Sequence, residues 1–314
     1  MGRLMTAAPG PAAERIGELA WAMTLVGAAV FVAFCVALAY ALVHRRVPAE
    51  PPAPERERRG ARAIVLLGAI VPAVILVPLF AWTIGTLAAL DPRAREPDLV
   101  VEVVGKQWWW ELRYPGRGPG QGFVAANELH VPAGRRVELR LVSSDVIHSF
   151  WVPELHGKTD LIPGRRNITW IEASRPGVYG GQCAEYCGAQ HAHMGLLVVA
   201  MPPAEYERWA AAQRRPAADP SEAAGKRGRE LFLGSACATC HAVRGTPAAG
   251  GVGPDLTHLA SRRTLAAGLL PNTPGHLAGW IANPDALKPG TLMPRVPLAA
   301  GELHLITHYL RSLE

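Results

Sequence analysis

Two long runs without any charged residue lie in the first third of the chain. The first run extends from Leu19 to Val43 and the second from Ala63 to Leu90. Each is longer than the ~20 apolar residues that span the hydrocarbon core of a bilayer. The pattern therefore predicts a hairpin of two transmembrane helices, at about 19–43 and 63–90, within a first domain of residues 1–92. The first run is too long for the apolar region of a cleaved signal peptide.

The segment between the two runs is rich in arginine. It contains Arg45, Arg46, Arg56, Arg58, Arg59 and Arg62, against Glu50, Glu55 and Glu57. Positively charged loops stay on the cytoplasmic side of a membrane. We therefore expect everything after Asp91 to lie on the outer, periplasmic side of a bacterial inner membrane. The net charge of +6 and the pI of about 9.3 come in large part from these arginines, so they do not indicate nucleic-acid binding.

Beyond Asp91 the pattern changes to short apolar or alternating runs separated by proline and glycine. These runs extend over 99–104, 107–114, 123–130, 137–142, 147–152, 167–172 and 196–201. Each run is typical of a strand. About seven to nine strands in roughly 100 residues favour an all-β sandwich, which we expect to cover residues 93–202.

A stretch rich in proline, alanine and arginine follows at 203–225. It is expected to begin as a short amphipathic helix and to continue as a semi-flexible spacer. A separate domain is then expected at 226–314. The chain is thus predicted to have several domains, because each shift in composition marks a boundary.

The loop that ends the predicted sandwich is dense in metal-binding side chains. It contains Cys183, Cys187, His191, His193 and Met194. Thiolate, imidazole and thioether ligands together favour copper over hard cations, and an axial methionine is typical of copper sites for electron transfer. Two cysteines four residues apart can bridge two copper ions. One imidazole is then still needed, and His148, at the end of an apolar strand, is predicted to supply it.

Two other interpretations of this loop remain open. Cys183 and Cys187 could form a disulfide in an exported protein, although the histidines and the methionine would then have no role. A zinc site of two cysteines and two histidines also agrees with the residue types, although zinc rarely binds methionine. His193 falls outside the ligand spacing and is predicted to lie at the surface or behind the ligands.

The pattern Cys-x-Glu-x-Cys-x3-His-x2-Met, with the stretch Ser-x-Asp-Val-x-His upstream, resembles subunit II of the haem-copper cytochrome c oxidases. The resemblance implies a cupredoxin-like Greek-key sandwich with a binuclear copper centre, CuA, bridged by the two cysteines. It implies that His148 and Met194 bind one copper. The other copper would be bound by His191 and the backbone carbonyl of Glu185.

The same resemblance implies roles for two further side chains. Glu185 would bind a magnesium ion shared with subunit I. Trp108, the first aromatic residue of Gly-Lys-Gln-Trp-Trp-Trp, would be the surface residue that accepts electrons from cytochrome c. One feature departs from the family: residues 62–71, early in the second apolar run, contain no acid near the expected proton path. Only Glu55 and Glu57, further upstream, are then available for that role.

The last domain contains the sequence Cys237-Ala238-Thr239-Cys240-His241, which is the attachment signal for c-type haem. The two thiols bind the haem covalently and the histidine is its proximal ligand. Met293, in a loop rich in proline and glycine, is the predicted second axial ligand. The other histidines of this domain are predicted to face solvent; they are His258, His276, His304 and His308.

With the sequence Gly-Pro-Asp-Leu at 253–256, the segment 226–314 resembles an all-α class I cytochrome c. A thioredoxin-like redox role for the two cysteines is the alternative. That role is disfavoured because no strand precedes the motif in a βαβ pattern, and because a histidine follows the second cysteine directly.

Two electron carriers on one membrane anchor predict a relay, because neither centre has an open coordination position for substrate. The resemblance implies the electron-accepting subunit of a terminal oxidase, which passes electrons from haem c through copper to subunit I for reduction of oxygen to water. The implied partners are subunit I, subunit III and an upstream donor such as a bc1-type complex or cytochrome c. The alternatives are the equivalent subunit of a nitric oxide reductase and a free-standing membrane-anchored electron shuttle.

Overall fold

The computed structural model of the chain describes residues 8–44, 54–116, 118 and 120–314. The described residues form two compact units. One contains most of the two long N-terminal helices, from Glu14 to Ala94, and the other contains Pro9–Ala13 and everything from Arg95 to Glu314. Of the predicted cytoplasmic segment, Arg45, Arg46 and Glu50 lie outside the described residues.

The two apolar runs form the helices α1 (Pro11–Val43) and α2 (Pro54–Ala89). Both have the length and composition of membrane-spanning helices, with mean hydropathies of 2.5 and 2.8 in their most apolar windows. Each begins earlier than its apolar run. The reason is a proline at the first helical position and an acid in the first turn, Glu14 in α1 and Glu55 in α2, both of which favour a helix N-terminus.

The segment from Leu99 to Met201 forms two five-stranded sheets. The strands are β1 (Leu99–Lys106), β2 (Trp109–Tyr114), β3 (Phe123–Ala126), β4 (Glu128–Pro132), β5 (Val137–Ser143), β6 (His148–Trp151), β7 (Thr159–Leu161), β8 (Asn167–Ile171), β9 (Gly177–Cys183) and β10 (Gly195–Met201). One sheet has the order β3-β2-β1-β5-β8 and the other β4-β10-β9-β6-β7. The expected cupredoxin-like β-sandwich is confirmed.

Alternation along each strand explains how the two sheets enclose one core. In β5, Val137, Leu139 and Leu141 are fully buried. Between them, Glu138 and Arg140 point away from the core and bind each other, with Arg140 Nε donating to Glu138 Oε1 at 2.8 Å. Successive side chains of a strand point to opposite faces, so one face joins the core and the other faces water.

The apolar run at 123–130 is not a single strand as predicted. It divides into β3 and β4, which belong to opposite sheets. The division falls at Asn127, whose φ of 61° is in the left-handed region that asparagine tolerates better than most residues. Its side chain accepts the backbone N–H of Trp110 at 2.8 Å, which fixes the turn. The pattern also does not predict β9, because three of its residues, Gly177, Gly180 and Gly181, interrupt the alternation.

The helix α3 (Pro203–Gln213) packs on the sandwich and is not part of a free spacer. The ring of Trp209 stacks on His130 with ring centroids 4.2 Å apart. Tyr114 and Phe123 meet the same indole edge-on, each at 5.5 Å. The apolar face of α3 therefore completes the sandwich core.

The residues after α3 are also held. Ala217 donates its backbone N–H to the carbonyl of Arg244 at 2.9 Å. Arg244 in turn donates through Nη2 to the carbonyl of Gln213 at 2.6 Å. The semi-flexible spacer that the sequence predicts after the helix does not agree with these contacts, because Ala217 is tied to the C-terminal domain.

The C-terminal domain is helical, with one short two-stranded ribbon. Its elements are α4 (Ala223–Gly234), α5 (Cys237–Cys240), β11 (Thr264–Leu265), β12 (Leu270–Pro271), α6 (Pro274–Ala282), α7 (Pro284–Leu287) and α8 (Ala300–Arg311). The helices α4 and α8 approach closely at Gly228, where a Cβ atom would lie 2.1 Å from the carbonyl oxygen of Leu305. Only glycine permits this approach. Phe232 and Tyr309 pack across the same contact, with ring centroids 5.8 Å apart.

Candidate functional site

The predicted copper ligands converge at one end of the sandwich. His148 begins β6, Cys183 ends β9, and the loop from β9 to β10 carries the others. One ligand atom each from His148, Cys183 and Cys187 lies within 4.8 Å of the other two. All three side chains are buried, and so is Met194. Residues that are distant in the sequence thus form one compact cluster of donor atoms.

The sulfur of Cys187 lies beside two of the predicted ligands. It is 3.7 Å from His191 Nδ1 and 3.8 Å from Met194 Sδ. The loop returns on itself through backbone hydrogen bonds, with the N–H of His191 donating to the carbonyl of Gly188 at 3.0 Å. These contacts place the imidazole of His191 and the thioether of Met194 beside the thiol of Cys187.

The sulfur of Cys183 has an equivalent pair of neighbours. It lies 3.9 Å from His148 Nδ1 and 3.2 Å from the backbone oxygen of Glu185. Cys183 and Cys187 are free thiols, not a disulfide. Two thiols, two imidazoles, a thioether and a carbonyl fit copper, because soft sulfur ligands and a weak axial donor suit that metal.

The imidazole of His148 is held on the side opposite the thiols. Asp145 Oδ1 lies 2.7 Å from Nε2, so Nδ1 faces the thiols. Gly105 in β1 lies against the ring, and a Cβ atom there would be 2.7 Å from His148 Cδ2. Burial opposes the charged ring, but the hydrogen bonds to Asp145 and Cys183 outweigh it and raise the pKa of His148. Asp145 and Gly105 were not among the predicted site residues, although each lies within a recognised motif, Ser-x-Asp-Val-x-His and Gly-Lys-Gln-Trp-Trp-Trp.

The two thiols shift each other's pKa in opposite directions. The hydrogen bond from Cys187 is the main reason why the pKa of Cys183 lies well below its usual range. The same hydrogen bond, with burial, raises the pKa of Cys187. Metal ions bind thiolates, so binding of cations to both sulfurs must release the proton that Cys187 retains most strongly.

Trp108 is buried, with 9% of its surface exposed, so its expected position on the surface is wrong. Its indole Nε1 donates to the carbonyl of Cys187 at 2.9 Å. Gln107 Nε2 donates to the same carbonyl at 2.8 Å. Gly188 makes room for the ring, because a Cβ atom there would lie 3.0 Å from Trp108 Cζ2. The indole is thus fixed on the copper loop and covered by the C-terminal domain.

A cavity lined by the predicted haem ligands lies between α5 and the loop before α8. Cys237, Cys240, His241 and Met293 all line it. The rest of the lining is largely apolar and includes Phe232, Leu256, Leu277, Ile281, Ile306 and Leu310. Two thiols, an imidazole and a thioether around one apolar cavity fit a covalently attached haem c. Trp108 and Trp109 of the sandwich line the same cavity.

The ring of His241 is oriented by its neighbours. Its Nδ1 lies 2.8 Å from the carbonyl oxygen of Pro254, which leaves Nε2 for a metal. Gly253 touches the ring, and a Cβ atom there would lie 2.5 Å from His241 Cε1. Burial lowers the pKa of His241 and so favours the neutral imidazole that binds iron. The Gly-Pro pair of the recognised motif thus has a direct structural role.

The other histidines of this domain do not compete for the axial position. His258 is buried, contrary to the prediction, and its two ring nitrogens lie 2.6 Å from Glu314 O and 3.1 Å from Arg215 O. His276 and His304 are exposed. Both ring nitrogens of His258 are therefore occupied by backbone.

The carboxylate of Glu185 lies apart from the buried cluster. Its Oε2 atom is 3.7 Å from Lys158 Nζ, and both side chains are largely exposed. Within the part of the chain that the structure describes, Glu185 belongs to no group of three side chains that could hold a metal. His193 is exposed, and its Nδ1 lies 2.7 Å from Gln190 Oε1.

Comparison with known proteins agrees with both sites. Residues 120–201 match the family of the cytochrome c oxidase subunit II periplasmic domain, and residues 225–314 match the cytochrome c family. The chain is 36% identical over 298 residues to cytochrome c oxidase subunit 2 of Alkalihalophilus pseudofirmus, and the alignment covers 93% of this chain and 84% of that protein. The chain belongs to the cytochrome c oxidase subunit 2 family.

Other members of the family are similar over most of their length. Cytochrome c oxidase subunit 2 of Bacillus sp. (strain PS3) is 30% identical over 281 residues, which is 82% of this chain and 76% of that protein. The periplasmic domain of subunit II from Bradyrhizobium japonicum is 31% identical, with a TM-score of 0.36 over 38% of this chain and 96% of that one.

Membership of the cytochrome c oxidase subunit 2 family fixes the general role. The chain is a membrane-anchored electron-transfer component of an oxidase and a partner of subunit I. Its two matched domains indicate copper and haem c as cofactors.

Proposed function

We propose that electrons reach this subunit at a covalently bound haem c, cross to a binuclear CuA centre, and leave for subunit I, where oxygen is reduced to water. The bound haem and copper would supply reversible one-electron transfer. The observation that supports this order is the position of Trp108. It lines the cavity with His241 and Met293, and it also donates to the carbonyl of Cys187. One side chain thus touches both sites.

In this proposal each predicted copper and haem ligand keeps its role. Cys183 and Cys187 would hold the copper ions together with His148, Met194, His191 and the carbonyl of Glu185. Cys237 and Cys240 would attach the haem, and His241 and Met293 would bind its iron. Strand ends and buried hydrogen bonds hold the copper ligands, so little movement is needed when the metal changes charge. A site that moves little when its metal is oxidised or reduced is suited to electron transfer.

The proposed setting extends beyond the two centres. The divisions at 1–92, 93–202, 203–225 and 226–314 would give a membrane anchor, a copper domain, a connecting segment and a haem domain. We place both metal domains on the periplasmic side of the bacterial inner membrane, because they follow α2 and because the preceding segment is rich in arginine. The Glu185 carboxylate would bind magnesium at the boundary with subunit I. Subunit III and a bc1-type complex or cytochrome c are the expected further partners.

The series order is tested with two variants of the intact oxidase. Replacement of both Cys237 and Cys240 by alanine should leave the copper bound but abolish turnover driven by reduced soluble cytochrome c. His191→Asn should instead leave haem c reducible but unable to pass its electron on. Stopped-flow spectra should then show haem c accumulating in the reduced form. Re-oxidation of haem c at the normal rate in His191→Asn would contradict the series order.

The role of Trp108 is tested separately with Trp108→Phe. Phenylalanine keeps an aromatic ring in the contact but loses the N–H that binds the carbonyl of Cys187. We expect slower oxidation of haem c by copper with unchanged metal content. Gln107→Met is the matched control, since it removes the second donor to the same carbonyl without adding a charge or touching the indole. Equal rates in Trp108→Phe and the native protein would exclude the indole from the path.

The named relatives are oxidases, which favours oxygen over nitric oxide as the final acceptor.

A further inference from the structure

The copper and haem domains meet along a seam of polar contacts. From the haem domain, the N–H groups of Arg263 and Thr264 both donate to Glu128 Oε1 at 2.8 Å. From the copper domain, the N–H of Gly195 donates to the carbonyl of Ala267 at 3.0 Å. These partners are backbone groups or a buried carboxylate. Such contacts hold two surfaces in one register, because each has a fixed position and direction.

Lys288 lies at the centre of this seam. Only 3% of it is exposed. Its ammonium donates to the carbonyls of Trp108 at 2.8 Å, His193 at 2.9 Å and Ala266 at 3.1 Å. Three donors thus meet three acceptors, which is the full capacity of a lysine. Two acceptors belong to the copper domain and one to the haem domain.

Burial of this charge is unfavourable in itself. It lowers the pKa of Lys288 to about 8. Among the residues that the structure describes, no carboxylate forms an ion pair with Lys288. The nearby Cys187 sulfur favours the ammonium but offsets only part of the effect of burial on the pKa of Lys288. A buried charge without a carboxylate partner is costly and is tolerated only when it is fully hydrogen-bonded. An apolar side chain would fill the same space at lower cost, so the charge and its three bonds point to a specific role.

The three carbonyls connect Lys288 to both metal sites. Trp108 binds the backbone of Cys187, and His193 directly precedes Met194. On the other side, Lys288 opens the loop that carries Met293, and it also lines the haem cavity. The next residue, Pro289, accepts a hydrogen bond from Gln190 Nε2 at 2.6 Å. One ammonium therefore ties the copper loop to the loop of the haem ligand.

We propose that Lys288 is a positioning residue. It holds the haem domain against the copper domain so that Trp108 lines the haem cavity, and it thereby sets the rate of electron transfer from haem to copper. The inference rests on the proposed function and deepens it. The closed seam also keeps soluble cytochromes away from Trp108. In addition, a buried positive charge beside both centres favours their reduced forms, because charges act strongly on each other where water is excluded.

Two variants separate the geometry from the charge. Lys288→Met has a similar length but neither donors nor charge. Lys288→Arg keeps the charge, but its planar guanidinium does not match three converging carbonyls. Lys226→Met is the matched control, because Lys226 lies on the exposed surface of α4 in the same domain. All are compared in the intact oxidase, after haem and copper contents have been measured.

Three measurements follow. Amide hydrogen exchange of the peptides that contain Gly195 and Thr264 reports opening of the seam. Flash-induced reduction of haem c reports the rate of electron transfer to copper. Spectroscopic titration reports the two reduction potentials. In Lys288→Met we expect about tenfold or greater acceleration of exchange, since charged hydrogen bonds are lost. We also expect slower transfer to copper, lower potentials at both centres, and new reduction of copper by added soluble cytochrome c.

In Lys288→Arg we expect the faster exchange and slower transfer, with potentials close to those of the native protein. Lys226→Met should change none of these quantities. Native rates of exchange and transfer in both Lys288 variants would overturn the inference. If Lys288→Met does not retain haem, Lys288→Arg alone decides, since a native transfer rate there excludes a positioning role. If the native protein itself shows no transfer from haem to copper, the proposed function fails, whereas hydrogen exchange still tests the seam.

Discussion

The copper loop and the haem cavity place their ligands in different ways. The copper donors come from the start of β6, the end of β9 and the loop that follows β9, and all belong to the sandwich. The haem cavity is lined by residues from α4 to α8, and also by Trp108 and Trp109 of the other domain. The copper cluster is therefore complete within its own domain, whereas the haem cavity is closed by a neighbour.

This difference has a consequence for how each site responds to change. A substitution in the copper loop should act locally, because the strand ends hold the remaining ligands in place. A substitution beside the haem should act both on the haem and, through the seam, on its distance from copper. The copper site therefore depends on the chemistry of its ligands. The haem site depends on its ligands and also on the packing between the two domains.

The largest effect is expected for Cys187→Ser, which removes one of the two thiols of the copper loop. Copper affinity should fall by more than about 100-fold, because even loss of a group that only orients a ligand costs 10–100-fold. Metal analysis and oxygen consumption measure the result. Haem content should stay normal, since the haem lies in the other domain. Cys35→Ser, in α1, is the control and should retain copper and turnover. Full copper content in Cys187→Ser would contradict a role of Cys187 as a copper ligand.

Asp145→Asn should have a smaller effect on the same site. The amide keeps the shape but loses the charge that orients His148 through a 2.7 Å contact. We expect copper affinity to fall by about 10–100-fold while the ligands themselves remain. Competition with a copper chelator measures the change. Asp160→Asn provides the comparison, because Asp160 is an acid on β7, the strand next to His148 in its sheet. The orienting role would be refuted by equal chelator resistance of the native protein and Asp145→Asn.

Gly253→Ala tests the haem side. The added methyl group would lie 2.5 Å from His241 Cε1 and must displace the proximal imidazole. Overpacking of this kind costs about 1–3 kcal/mol of unfolding free energy. The ratio of haem to protein and the thermal midpoint should both fall. Gly251→Ala is a close control, because a Cβ atom there meets nothing within 4 Å. Similar haem content in both variants would show that the contact is unimportant.

The smallest expected effect is a decrease in stability at acid pH, caused by His130 where α3 packs on the sandwich. Burial lowers the pKa of His130, which stacks on Trp209, to about 4. The unfolded chain, with a histidine pKa of about 6.5, then binds more protons than the folded one between these values. Stability should therefore fall as the pH falls from about 6.5 to about 4.

Thermal melts of the native protein and His130→Gln at several pH values test this sign. The variant should lose part of the decrease below pH 6.5. His304→Gln, at an exposed position of α8, should keep the native pH dependence. A native profile in His130→Gln would show that another group controls acid stability.

The features that could be predicted from the sequence are local ones. The spacing of Cys183, Cys187 and His191 lies within one loop, and the alternation of β5 is visible in consecutive residues. The seam was not predictable, because Lys288 and Trp108 are 180 residues apart and neither residue type signals the other. The buried position of His258 was missed for the same reason, since its partners are backbone carbonyls that carry no sequence signature.

The burial of Lys288 also determines how added salt should act on the two stages of electron flow. Mobile ions screen exposed charges effectively but reach buried contacts poorly. The proposed step from haem to copper would cross the seam around the buried Lys288, so its rate should be nearly independent of ionic strength. The arrival of an outside protein donor depends on long-range attraction between exposed charges, which salt weakens. A change of turnover with ionic strength would therefore report on the encounter with the donor and not on the step inside the chain.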